Sequence, residues 1–379
     1  MPASSRELKA KHTKKHQSET VLVLQGGGSL GAYECGVFKA LAKSGIRLDV
    51  VAGTSIGAVN AGIIAGAKSG RPEEDLENFW LDLAEKVTPS FLPDSLRMMM
   101  SSYYGAVYGN SSVFSPVWPT PFDMQQSGSV RRVFPTFGWP SHLYDLNSLE
   151  KTLKKYVDFS KINGKGGPRL IATATDIQRG QAVVFDSHAE GIDAEHLVAC
   201  AGFPFYGIAW TEKNGRYLWD GALLSNTPLR EVIDASPRRD KTVYIVSLFP
   251  RVQKELPANL SDIWHRARDI MFTEKTDQNI RMSKVISSHL LVMTEMHDIL
   301  AKAGLDGELR ARFEEIEPKY QRMAEHRGAI INDVTKIERS ESVHFLFEDA
   351  DFSIATIRNL IRQGEADALA AVAKKADRD

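Results

Sequence analysis

The run Val21-Leu22-Val23-Leu24-Gln25-Gly26-Gly27-Gly28-Ser29-Leu30-Gly31 decides the fold. Four consecutive apolar residues, stopped by glycines, suit a strand covered on both faces. The segment from Leu30 to about Lys43 carries Val37, Phe38 and Leu41 and ends at Lys43-Ser44-Gly45, a helix with its stop signal. Leu48 to Ala52 reads as a second short strand. Ile56 to Ala67 is almost wholly apolar or small, which predicts a buried helix rather than a surface one, and it is too short to span a bilayer. Gly57, Gly62 and Gly66 would each weaken an isolated helix by about 1 kcal/mol, so they fit a helix laid close against a sheet. Strand, helix, strand, helix with short connections predicts a parallel α/β sheet with right-handed crossovers.

The glycine loop joins a strand to a helix N-terminus, where unpaired N–H groups and the helix dipole favour negative charge. Gly26, Gly28 and Gly31 fit the dinucleotide pattern G-x-G-x-x-G, which also wants an acid at the end of the second strand. Asp49 lies at about the right distance but precedes Val50-Val51-Ala52, near the start of that strand. What stands at its end is Gly53-Thr54-Ser55-Ile56-Gly57. The pattern G-x-S-x-G between a strand and a helix is a nucleophile elbow, a sharp turn that exposes a serine hydroxyl. That context favours an oxyanion hole over a cofactor loop, with a dinucleotide-binding oxidoreductase as the outsider.

A serine nucleophile needs a base. The histidines downstream, His188, His196, His265, His289, His297, His326 and His344, lack the setting of a loop after a late strand that a Ser–acid–His order demands. Arg216-Tyr217-Leu218-Trp219, in contrast, reads as a strand delivering Asp220 at its end, before the turn Gly221-Ala222. Asp-Gly alone is a common turn signal; its combination with the elbow singles out Asp220. Serine, carboxylate and glycine loop together describe acyl transfer without histidine, metal or cofactor.

These three motifs, in this order, resemble those of the patatin-like phospholipase family: the glycine loop at Gly26–Gly31, the elbow at Gly53–Gly57 and D-G-[AG] at Asp220–Ala222. The resemblance covers about Val21 to Phe249. It implies Ser55 as nucleophile, Asp220 as its base, and backbone N–H groups of Gly26, Gly27 and Gly28 as the oxyanion hole, with Gly31, Gly53, Gly57 and Gly221 supporting the motifs. It implies a three-layer α/β/α fold with a mostly parallel central sheet, followed by a mainly helical C-terminal extension. The family's loop often carries Arg or Lys where this chain has Leu30, a departure seen in bacterial-type members. The activity implied is cleavage of fatty-acyl esters, of phospholipase A type; an acyltransferase or a storage-polyester esterase would use the same machinery.

The remaining signals are softer. Thr88 to Pro140 is dense in aromatics, methionine and proline, including Phe91, Leu92, Met98, Met99, Met100, Tyr103, Tyr104, Tyr108, Trp118, Phe122, Phe134, Phe137 and Trp139. A segment of this kind serves as a lid or acyl-binding loop, or fills a satellite core. A net charge of −1 gives no reason to expect nucleic acid. Two cysteines, Cys35 and Cys200, do not make a disulfide framework. The basic start, Arg6 to Lys15, has no apolar stretch behind it and reads as a solvated tail that could touch an anionic membrane. The expected organisation is a tail over 1–19, a catalytic domain over 20–250 and a helical extension over 251–379. The expected setting is cytoplasmic, at most peripheral to a membrane, with a lipid or long-chain acyl ester as substrate. In the extension, helices are expected from Ser261 to Ala303, with or without a break, from Asp306 to Arg327 and from Ser353 to Lys375, with short strands at Ile330-Ile331 and Val343 to Phe347.

Overall fold

The computed structural model describes residues 18–85, 87–89, 91–117, 141–164, 166–236, 239–326, 329–340 and 347–377. The basic start, residues 118–140 with Trp118, Phe122, Phe134, Phe137 and Trp139, and all but Phe347 of the expected strand at 343–347 lie outside the described residues. In chain order the elements are β1 (Glu19–Leu24), α1 (Ala32–Lys43), β2 (Val50–Thr54), α2 (Ile56–Gly66), α3 (Pro72–Asp82) and α4 (Asp94–Tyr108). A two-stranded ribbon, β3 (Ser115–Pro116) and β4 (Tyr144–Asp145), precedes α5 (Asn147–Tyr156), α6 (Phe159–Ile162), β5 (Arg169–Asp176) and β6 (Gln181–Asp186). Then come α7 (Ala194–Ala199), β7 (Thr211–Lys213), β8 (Arg216–Asp220), α8 (Leu229–Asp234) and β9 (Lys241–Ser247). The chain ends with α9 (Leu260–Lys302), α10 (Gly307–His326), β10 (Ile331–Glu338) and α11 (Ile354–Ala376).

One sheet runs in the order β10-β9-β1-β2-β5-β8-β7, with β6 paired to β5 off this path. The pairs from β10 through β5 are parallel, while β6, β7 and β8 pair antiparallel. Strand alternation sorts the core into two halves. Leu22, Leu24, Val51, Leu170 and Ala172 point to one face, where α1, α2 and α11 pack. Val21, Val23, Val50, Ala52 and Ile171 point to the other, against Leu229 and Val232 of α8 and Ile280 of α9. Helices on both faces of a mostly parallel sheet make the three-layer arrangement that continuous apolar strands require. Every residue of α2 is buried, as its composition predicts.

Three features of the C-terminal residues shape the core and the sheet edge. The helix over 260–302 is continuous, without a break. The strand near Ile331 extends to Glu338 and lies parallel outside β9, so β10 is the sheet edge. Finally, α11 packs directly on α1, backbone against backbone. A Cβ added at Gly36 would lie 1.9 Å from Ile361 O, and one at Gly364 would lie 2.0 Å from Tyr33 O. Tyr33 Oη also donates to Asp367 Oδ2 at 2.9 Å, closing the same crossing.

Gly364→Ala is therefore expected to force the two helices apart and lower stability by about 1–3 kcal/mol. Urea unfolding measures this against Gly191→Ala, where an added Cβ meets nothing within 4 Å and the change should stay within about 0.5 kcal/mol.

Candidate active site

The site is built where two strands share one edge of a third. Because β6 covers one edge of β5 along Ile171–Asp176, β2 and β8 must both use the other. β2 pairs up to Thr54 opposite Thr173, and β8 takes over with Asp220 opposite Ala174. The ends of β2 and β8 thus meet at adjacent register positions, which brings Ser55 and Asp220 together although 165 residues separate them. Side chains lock the junction: Thr54 Oγ1 lies 2.6 Å from Thr173 Oγ1 and donates to Ser225 O at 2.7 Å. Thr175 Oγ1 donates to Asp220 O at 2.9 Å.

Ser55 sits at φ 55°, ψ −127°, immediately before α2. Such a backbone costs a non-glycine residue on the order of 1–3 kcal/mol and persists only where the surroundings impose it. They do so here through glycines. A Cβ at Gly53 would lie 2.1 Å from Gly57 O, and one at Gly57 would lie 2.7 Å from Leu24 O. The elbow can turn this tightly only because strand and helix approach without side chains between them. At this place the positive end of the α2 dipole points at the Ser55 side chain.

Asp220 is fully enclosed. Its Oδ1 accepts the Ala222 N–H at 2.8 Å, and its Oδ2 is buried without a full hydrogen bond. Burial pushes the carboxyl up to about 7, while the neighbouring Ser55 hydroxyl and the Ala222 N–H pull it down. Gly221 lets the turn press against β5, since a Cβ there would lie 2.5 Å from Thr173 O.

The glycine loop lies across this pair. A Cβ at Gly26 would stand 3.0 Å from Ser55 Cβ and 2.5 Å from Asn226 Oδ1. One expected donor is corrected: the Gly26 N–H is already given to Asn226 O at 3.2 Å and cannot also face an oxyanion. Gly27 and Gly28 keep N–H groups that make no hydrogen bond among the described residues. Gly28 needs its freedom, with φ +55° and Asp349 O only 2.3 Å from where a Cβ would be.

Two residues that the motifs did not flag hold this loop. Asn226 grips it twice, receiving the Gly26 N–H and donating from Nδ2 to Gly26 O at 3.2 Å. Gln25 ties the end of β1 to its surroundings: Nε2 donates to Thr227 Oγ1 and Phe272 O, both at 3.0 Å, and Oε1 accepts the Leu248 N–H at 2.7 Å. An amide beside a glycine run carries no sequence signal of its own; only its position at the strand end could have drawn notice.

Ser55, Asp220 and Gly26–Gly28 open on a cavity of about 490 Å³ with a largely apolar wall. Ala106, Val113 and Phe114 from the aromatic segment contribute to it, as do Phe203, Tyr206 and Phe272. Phe347, Asp349, Ala350 and Phe352 line it from the C-terminal region. Other aromatic-segment residues face outward instead, Phe91 at 84% exposure. A wider cleft of about 1220 Å³ shares Ala222, Asn226, Phe203 and Phe272 with the first. No helix among the described residues is long and apolar enough to cross a membrane.

A family model described as patatin-like phospholipase matches residues 22–233. The lysophospholipase nte1 of Aspergillus terreus is 52% identical over 44 residues, which are 12% of this chain and only 3% of that protein. Among solved structures, VipD from Legionella pneumophila is 13% identical with a TM-score of 0.36, over 94% of this chain and 67% of that one. The type III effector protein ExoU is 13% identical with a TM-score of 0.32, over 94% of this chain and 53% of that one. The family model spans more than half of the sequence and contains all three motifs, and the chain belongs to the patatin-like phospholipase family.

Proposed function

We propose that this protein is a lipid acyl hydrolase in which Ser55 and Asp220 act as a dyad. The observation that carries the reading is the Ser55 hydroxyl beside a buried carboxylate, under two unbonded N–H groups, at the wall of an apolar cavity. Ser55 Oγ attacks the ester carbonyl carbon while Asp220 accepts its proton. The carbonyl oxygen, now negative, lies toward the Gly27 and Gly28 N–H groups, each worth on the order of 3 kcal/mol. Collapse of this intermediate expels the alcohol, which takes the proton from Asp220. Water then gives its proton to Asp220 and attacks the acyl-Ser55 ester, releasing the fatty acid and returning the serine.

Asp220 is a better base than an ordinary carboxylate, whose pKa is about 3.9, because burial disfavours its charge. The apolar cavity suits an acyl chain, and the wider cleft across Ala222 and Asn226 suits the more polar alcohol portion. The substrate class this favours is a long-chain acyl ester of a glycerolipid.

Ser55→Ala and Asp220→Asn should each reduce fatty-acid release from phospholipid vesicles by at least about 10³-fold, with no added metal in the assay. Wild-type activity in either variant would remove that residue from the dyad. The wild-type kcat/KM should fall about tenfold per pH unit below about 7, where Asp220 takes up a proton.

Stability should move the opposite way. The folded-state pKa of Asp220 lies above its unfolded value, so the native state binds the extra proton between about pH 4 and 7 and loses stability as pH rises through that window. Asp220→Asn removes the buried charge. Its stability is expected to match wild type near pH 4 and to exceed it near pH 8 by on the order of 4 kcal/mol, read as a higher thermal midpoint. A variant equally stable at both pH values would show that Asp220 ionises without a burial penalty.

A further inference from the structure

Three glycines in a row cannot fix their own N–H groups, because each lacks the Cβ that restricts backbone rotation. An oxyanion hole is effective only when its donors are in place before the reaction, so the surroundings must hold this loop. Gly26 is gripped by Asn226. Leu248 backs Gly27, where an added Cβ would lie 2.7 Å from Leu248 Cδ1. Gly28 and Ser29 rest on a turn from the far end of the chain. Asp349 O stands 2.3 Å from where a Gly28 Cβ would be, and Ser29 Oγ donates to Glu348 O at 3.2 Å.

The main chain of Asp349 thus meets the loop while its side chain is anchored elsewhere. Its carboxylate accepts the Tyr206 hydroxyl and faces Arg268 Nη1 at 3.4 Å. Burial, with Asp349 beside it, pushes the Tyr206 hydroxyl well above its ordinary value, so it stays protonated and donates. Asp349 is 7% exposed, and both it and Tyr206 line the cavity on which Ser55 opens. Arg339 links two of the supports, donating from Nε to Leu248 O at 2.7 Å and from Nη2 to Glu348 Oε1 at 3.3 Å. Charge-assisted bonds of this kind fix direction as well as distance. Among the described residues Asp349 has no hydrogen bond to Ser55 or Asp220, so its influence on them passes through the loop.

We propose that Asp349 is a positioning residue for the oxyanion loop, held against Gly28 by Tyr206 and Arg268. The proposal rests on Ser55 as nucleophile and on Gly27 and Gly28 as oxyanion donors. Two rates test it on the full chain: turnover of p-nitrophenyl butyrate, and labelling of Ser55 by a fluorophosphonate. In the labelling, Ser55 Oγ bonds to phosphorus, fluoride leaves and the phosphoryl oxygen takes the oxyanion's place, so no lipid need be cleaved. Asp349→Asn keeps the shape and removes the charge; Tyr206→Phe removes one hydroxyl and leaves the buried charges paired. Each should lower kcat at least about tenfold with KM within about twofold, and slow labelling by a similar factor. The double variant should be no slower than the worse single one, because both act on one turn. Loss of folded protein would lower the labelling end point and not the rate per labelled site. A raised KM with unchanged kcat would make Asp349 only a wall of the cavity and overturn the proposal. Wild-type rates in Tyr206→Phe would overturn it too, even where Asp349→Asn fails to fold. Labelling of wild-type Ser55 without fatty-acid release from phospholipid vesicles would remove the lipid hydrolase reading alone. A wild-type Ser55 that cannot be labelled would remove the dyad, and this proposal with it.

Discussion

Two strands that meet end to end along one edge of β5 set the geometry of the site. A parallel strand alone would carry Ser55 out of the sheet with no carboxylate near it. The antiparallel return of β8 onto the same edge places Asp220 one register step beyond Thr54. Thr173 is the hinge of this arrangement: its hydroxyl meets Thr54, and its carbonyl leaves room only for glycine at 221. Reacting groups must be placed to within about 1 Å, since a displacement of that size costs on the order of a hundredfold in rate. The most rigid part of the fold, the middle of a sheet buried on both faces, does the placing.

That placement works against stability, and the polar network behind the elbow shows how the fold compensates. Burial raises Asp220 and also Glu34, which is pushed up to about 8. Glu34 is therefore largely neutral at pH 7, and Asn60 links it to its surroundings. Asn60 Nδ2 donates to Glu34 Oε2 at 2.8 Å and to Gly31 O at 3.0 Å, while its Oδ1 accepts the Trp80 Nε1–H at 3.1 Å. These bonds pin α2 to the loop that precedes α1. An apolar helix can slide against its neighbours at little cost, but moving α2 would leave these buried polar groups unsatisfied, at about 1–3 kcal/mol each. The network holds in register the helix whose N-terminus carries the strained Ser55.

The parts of this design with a local signature were legible in the chain. Val21–Leu24, the small-residue helix after Ser55 and the D-G turn each state their conformation within a few residues, so sheet, elbow and Asp220 follow from pattern and motif. Where the signal was long-range, reading stopped. Nothing near Gly26 reveals that Asn226 takes its N–H, two hundred residues away, so Gly26 resembled its neighbours as a donor. Gln25 looked like any residue between a strand and a loop. The edge position of β10 was hidden for a similar reason: Ile331 to Glu338 alternates apolar and polar residues weakly, and its partner β9 lies far away in sequence.

The C-terminal region carries this long-range dependence furthest. Gly28 has a left-handed backbone, and Asp349 O fills the space where its side chain would be; Ser29 Oγ donates to Glu348 O at 3.2 Å. The turn Glu348–Ala350 thus lies against the very N–H groups proposed to face the oxyanion. Its own position is set by buried charge. Arg268 of α9 reaches Glu348 Oε1 at 2.8 Å and Asp349 Oδ1 at 3.4 Å, Arg339 reaches Glu348 Oε1 at 3.3 Å, and Tyr206 Oη donates to Asp349. The Arg268 guanidinium also lies 4.9 Å from the Phe249 ring, and its acidic neighbours hold it charged. A cluster of this kind adds little net stability compared with apolar packing, because desolvation offsets much of its attraction. Removing one partner, however, strands the others in a place without water, at about 3–5 kcal/mol. It therefore acts as a constraint on geometry. It ties α9, the 348–350 turn and the end of β10 to one another, and the turn in turn meets the glycine loop at Gly28 and Ser29, where the Gly27 and Gly28 N–H groups make no hydrogen bond among the described residues.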